Sequence, residues 1–166
     1  MVNATKSFLG GAVWRKSLLL AVVLVTGCVT QAAEPFVATT PMRVKGQLVN
    51  VELATNDAEW ERGLMNRPQM PADRGMLFVF TAPRMAAFWM KDTRLPLSIA
   101  FIDADKKILN IADMSPMNDT IIYRSVGLVP YVLEVNQGWF AARGIGPGDT
   151  CDFTLPSLSP TPSPSK

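Results

Sequence analysis

In the stretch 88-FWMKDTR-94 a tryptophan, a lysine and a threonine fall at every second position. A step of two is the step of a β-strand, so Trp89, Lys91 and Thr93 are expected on one face, with Phe88 and Met90 on the other. An indole beside an ammonium offers a ring and a cation to a polar, ring-bearing or anionic ligand. With Arg62 expected nearby, these residues form the candidate binding surface. The plainer alternative is a half-buried tryptophan beside a solvated lysine.

A second feature is Glu134, a lone acid in the apolar run 132-VLEV-135. A carboxylate pointing inward there needs a partner. Arg62 and Arg67 flank the end of a helix and are the natural ones, so a structural ion pair is expected. A single acid without a second acid–base group in the pattern is weak evidence for catalysis, and no catalytic residue is assigned.

Other chemistries are less well supplied. The chain has no histidine, which removes Ser-His-Asp triads, Cys-His pairs and histidine-bound zinc. The pair in 114-MSPM-117, with Met85 and Met90, could offer soft sulfur ligands to Cu(I), although methionine more often fills a core. Asp103 and Asp105 have the spacing of calcium ligands, but Asp-Ala-Asp-Lys-Lys reads as turn chemistry, and lysines repel a cation. Cys151 reads as a buried structural thiol. The segment 144-GIGPGD-149 does not follow a strand and open a helix, so it is no phosphate loop. No metal and no cofactor is expected.

The elements that would position these residues are mostly strands. The segment 47-QLVNVELA-54 alternates, and Lys45-Gly46 suits a hairpin turn from 42-MRV-44. One short helix is expected near residues 56–66, with Asn56 as N-cap and Glu59 as its capping-box partner. Further strands are expected at 76–80, 86–90, 97–103, 107–114, 120–124, 131–136 and 150–155, with a helical turn at 138–143. Short strands separated by turn signals argue an all-β domain, a β-sandwich or partly open barrel.

Outside that domain the chain reads as an address. Arg15 and Lys16 precede the apolar run 18-LLLAVVLV-25, which is far shorter than the ~20 residues of a membrane span. Residues 1–28 are therefore expected to be a secretory signal peptide. The tetrapeptide 25-VTGC-28 has the form of a lipoprotein cleavage site, so Cys28 is expected to be lipidated; cleavage near residues 32–33 is the alternative. Residues 29–40 read as a linker, 41–155 as one β-rich domain, and the Pro/Ser-rich 156–166 as a disordered tail. Loss of Lys6, Arg15 and Lys16 with the signal turns 16 basic residues into 13 against 14 acidic, a net charge of about −1. That balance leaves no basic stripe for nucleic acid.

The series 61-ERGLMNR-67, 75-GMLFVF-80, 88-FWMKDTRLPLSIAFID-103, 131-YVLEVNQG-138 and 144-GIGPGD-149 resembles a family of small, often exported prokaryotic proteins known as a domain of unknown function. The resemblance runs from about residue 42 to residue 155. It implies an all-β, jelly-roll-like or barrel-like fold with a short helix, and no established activity. At one position the chain departs from it: Ser98 follows Pro96-Leu97 where the family usually has an aspartate. A catalytic or metal role for that aspartate would be missing here.

These features lead to an exported envelope domain, periplasmic or held at the membrane through lipidated Cys28. It is expected to act as a binding or accessory module for an unknown ligand or envelope partner. A histidine-independent hydrolase using carboxylates and Lys91 is the alternative, and a copper-handling protein the third reading.

Overall fold

The computed structural model of the chain describes residues 38–156. The export segment with Cys28, the linker up to residue 37 and the tail from residue 157 lie outside the described residues. What is described is a seven-stranded sheet curled into a half-barrel, with one short helix.

The strands are β1 (Thr40–Val44), β2 (Gln47–Ala54), β3 (Arg74–Phe88), β4 (Leu97–Ile102), β5 (Ile108–Met114), β6 (Tyr123–Asn136) and β7 (Cys151–Phe153). Their spatial order is β5-β4-β6-β3-β2-β1-β7. Every neighbouring pair is antiparallel except β2 and β3, which run parallel and are joined through the helix α1 (Asp57–Arg62). The two edge strands approach each other at one place, a bridge between Lys107 and Thr150. The barrel is thus partly open, not a sandwich.

Local chemistry explains the elements. Lys45 and Gly46 both take left-handed φ, 49° and 78°, which is what a two-residue hairpin turn with the twist of its strands requires. At the start of α1 the Asn56 side chain accepts the Glu59 N–H at 3.1 Å. The Glu59 carboxylate reaches back one residue further than the ordinary capping box, accepting the Thr55 N–H at 2.7 Å. These hydrogen bonds hold the Glu59 carboxyl below its ordinary pKa, the Thr55 N–H contributing most. The helix ends sooner than expected, because Gly63 turns out of it at φ 46°.

Two pairs of expected strands are fused. Residues 76–80 and 86–88 belong to the single β3, which stops at Phe88 short of Trp89 and Met90, and of the expected 120–124 strand only Tyr123 and Arg124 are strand, as the start of β6. The cause is a local irregularity. Val79 pairs with Tyr131 and Arg84 with Val129, so the four residues between Val79 and Arg84 face Pro130 alone. Proline has no N–H for the ladder and is tolerated where pairing lapses. The bulge carries exposed Thr81, Ala82 and Pro83, which look like a turn in sequence.

Each face of the sheet carries its own core. One includes Val49, Val51, Leu77, Leu133, Trp139, Phe140 and Cys151. Burial pushes the Cys151 thiol up to about 12, so it is chemically quiet. The opposite face holds Met76, Phe78, Met90, Leu97, Ile99, Phe101 and Val132, with Leu64 packed over it. Glu134 is two residues along from Val132 on β6 and shares this second face.

Candidate ligand-binding cleft

On the second face lies a cleft of about 780 Å³, bounded by α1, the β3 bulge and the turn after β3. Its lining includes Arg62, Trp89, Lys91, Thr93 and Glu134, residues from separated parts of the sequence. Arg67 is not in this lining.

Glu134 forms the floor. It is only 4% exposed, in a central strand whose in-register neighbours are Met76 on β3 and Ile99 on β4. Neither offers a donor. Among the described residues no hydrogen bond or ion pair reaches its carboxyl group. Burial alone drives its pKa up, to about 8, with no cation near enough to oppose the rise.

The expected pairing of Glu134 with Arg62 or Arg67 is therefore not formed. Arg67 instead grips both carboxylate oxygens of Glu52 at 2.5 Å. Glu52 lies nearer the loop that follows α1, on β2, and intercepts the arginine. Arg62 is an exposed residue at the edge of the cleft, and its charge acts on Glu59 of its own helix.

The walls are aromatic. Phe78 and Phe88 meet edge to face at 4.9 Å, and Trp60 meets Phe80 at 5.2 Å. The Arg84 guanidinium sits 5.0 Å from the Trp60 ring centre and 4.7 Å from that of Phe80. The bulge in β3 is what turns Arg84 towards these rings. Trp60 is fixed in turn by donating its indole N–H to the Ala54 carbonyl at 3.0 Å.

The mouth is formed by the turn after β3. Trp89 is 47% exposed, and the Lys91 ammonium lies 5.5 Å from its ring centre. The expected strand alternation does not hold here, since β3 ends at Phe88 and Asp92 takes a left-handed φ of 51°. Thr93 is only 5% exposed, and its hydroxyl donates to the Lys91 carbonyl. It shapes the turn rather than continuing an exposed row. Fully buried Met90 anchors the turn from below, and the Asn66 N–H ties it to the helix end through the Asp92 carbonyl at 2.8 Å.

Thus the four residues of the expected surface do line one cleft, although by a turn and not by a strand. The rings of Trp60, Phe78, Phe80 and Phe88 and the cation of Arg84 were missed. In sequence they belong to a helix face, to core runs and to a turn-like segment. Their shared location arises only when α1 and the β3 bulge are set over the sheet.

The remaining candidates resolve into structure. Met90 and Met114 are fully buried in the core, while Met85 and Met117 are exposed, so the four sulfurs form no common ligand set. The Asp103 carboxylate accepts the Lys107 N–H at 2.8 Å, an ordinary turn bond. Ser98 lies on the face opposite the cleft, where its hydroxyl accepts the Gly138 N–H at 2.9 Å and donates to Asp113, its partner across β4 and β5. Ser98 therefore occupies a turn-capping position on the face opposite Glu134.

Crystal structures similar to the chain include the following two. One is of a protein from Sinorhizobium meliloti 1021 described as a proposed transcription regulator. It is 38% identical with a TM-score of 0.67, the match covering 73% of this chain and 98% of that one. The other is a protein of unknown function from Novosphingobium aromaticivorans DSM 12444. It is 36% identical with a TM-score of 0.68, the match covering 74% of this chain and 94% of that one. No curated protein is similar at a significant level. The sequence profile of DUF192, described as "Uncharacterized ACR", matches residues 40–153, and the chain belongs to that family.

Proposed function

We propose that the chain is a non-catalytic binding module of the cell envelope, exported by its N-terminal segment and anchored through Cys28, whose cleft takes up a small molecule. One observation carries the reading. A buried carboxyl group with no partner among the described residues ends at the floor of an aromatic cleft that has cations at its mouth. Holding such a group out of water costs stability, and a ligand that pairs with it would offset that cost. Few, well-placed polar groups in an otherwise apolar hollow are the usual make-up of a small-molecule site.

The hydrolase alternative has one point in its favour, since a protonated Glu134 is the form a general acid needs. It lacks a second buried acid: Asp57, Glu61 and Asp92, the other acids of the cleft, are all exposed at its edge. One similar protein is described as a proposed transcription regulator; direct contact with nucleic acid would need a basic surface, and the charge balance of this chain does not favour one.

The test is a small-molecule library screened against the full chain by thermal shift. Stabilising compounds are then retested on Glu134→Gln and Trp89→Ala. The expected result is stabilisation that both substitutions weaken. Stabilisation indifferent to both, or none from any compound, would count against the cleft as a binding site.

A further inference from the structure

We infer that the cleft is built for a zwitterion, with an organic ammonium group seated on Glu134 and a carboxylate or phosphate held at the mouth by Arg84 and Lys91. The inference rests on the binding-module reading above and names its ligand class.

The acid at the floor is Glu134, and among the described residues it has no hydrogen-bond or ion-pair partner. The charged groups around it are all further out. They are Asp57, Glu61 and Arg62 of α1, Arg84 of the β3 bulge, and Lys91 and Asp92 of the turn. On β2, two strands away, Glu52 is already paired with Arg67. A carboxyl group enclosed by rings such as Phe78 and Phe88 suits an ammonium, because ring faces attract a cation and the acid neutralises it. An anion would meet repulsion at the floor once Glu134 ionises.

The mouth offers contacts for an anion as well. Arg84 and Lys91 lie over the rings of Trp60, Phe80 and Trp89, and among the described residues neither has a carboxylate partner. Two cations without an ion-pair partner among the described residues stand at the entrance and offer an anion its contacts, while the acids there, Asp57, Glu61 and Asp92, are solvent-exposed. A molecule negative at one end and positive at the other satisfies both ends of the cleft at once. The apolar walls between them accept the methylene chain that joins the two.

The pairing has a pH signature. Seating an ammonium requires Glu134 to ionise, so near neutral pH each binding event releases a proton from the carboxyl group. Affinity should therefore rise roughly tenfold per pH unit as pH climbs towards 8, then level off.

The experiment uses the full chain and five simple probes: 5-aminopentanoate, 5-aminopentyl phosphate, pentylamine, pentanoate and 1-pentanol. Fluorescence of Trp60 and Trp89 and titration calorimetry report binding. Both zwitterions are expected to bind about tenfold or more tightly than pentylamine or pentanoate, since each end adds a charge-assisted contact. Which zwitterion binds better distinguishes a carboxylate source from a phosphate source. Glu134→Gln should abolish the advantage of the ammonium, the pH dependence and the proton release. The double variant Arg84→Ala, Lys91→Ala should abolish only the advantage of the anion. Binding of pentanoate or 1-pentanol undiminished by Glu134→Gln would overturn the ligand class while leaving the cleft a binding site. Silence from all five probes would also overturn it, while the library screen judges the broader reading separately.

Discussion

Glu52 and Glu134 stand in one row across the sheet, joined in register through Met76, yet only Glu52 has an arginine. The two acids lie on the same face, on β2 and β6 with β3 between them, and only the acid on β2 meets the arginine that follows the helix. The one nearer the loop wins, and the other is left unpaired at the bottom of a cleft. That outcome turns an expected structural residue into the centre of the candidate site.

Glu134 should make stability fall as pH rises. Its folded pKa is raised from 4.5 to about 8, so between those values the folded state keeps a proton that the unfolded chain has lost. Stability linked to this group is therefore full below about pH 4.5, is lost progressively up to about pH 8 and is flat above. Glu134→Gln should remove this slope and raise stability at pH 8 by on the order of a few kcal/mol. Urea denaturation of both proteins across that range measures it, and parallel pH profiles would contradict it.

Removing Arg67 should have the opposite character. Arg67→Ala leaves the Glu52 carboxylate, 12% exposed, without its bidentate partner. The expected cost is about 1–3 kcal/mol, and a double-mutant cycle with Glu52→Gln should show strong coupling. Glu134 should be silent in the same cycle.

Gly75 is needed for close packing beside the site. A Cβ there would lie 2.6 Å from the carbonyl oxygen of Glu134, too near for any relaxed structure. Gly75→Ala should destabilise by about 1–3 kcal/mol and shift the Glu134 strand. Chemical denaturation together with the carboxyl titration would register both effects.

Much of the scaffold was legible in the chain because local chemistry agrees with global position. The Lys45-Gly46 turn, the alternation of 47–54 and the Asn56 cap all lie where their patterns place them. What was not legible depends on contacts between distant segments. The bulge opposite Pro130 hid the continuity of β3 and β6, since exposed residues at 81–83 read as a loop. Trp89 and Lys91 do line one cleft, but from a turn after β3 ends at Phe88 and not by a strand period. Glu134 stood out as an acid among valines and leucine, while its partner depended on which acid Arg67 reaches first. Sequence spacing holds no information on that competition.

Ser98 should matter to folding and not to binding. Ser98→Ala leaves the Gly138 N–H without its acceptor and should cost about 1–3 kcal/mol. Because the hydroxyl lies on the face opposite the cleft, affinity for any cleft ligand should be unchanged. A loss of affinity without a loss of stability would refute this assignment.

Export and anchoring are tested by mass spectrometry of the mature protein. The proposal requires an acylated Cys28 at the N-terminus, and Cys28→Ala should release the protein from the membrane fraction. An unmodified N-terminus near Ala33 or Glu34 would show ordinary cleavage instead.

The most direct test of the central claim is the titration of the Glu134 side-chain carboxyl carbon by NMR in the ligand-free full chain. An unpaired acid at the floor of the cleft should titrate near 8, far above the ordinary carboxylate range. A midpoint in that ordinary range, around 4.5, would mean that Glu134 is solvated or paired, and the account of the cleft would fail.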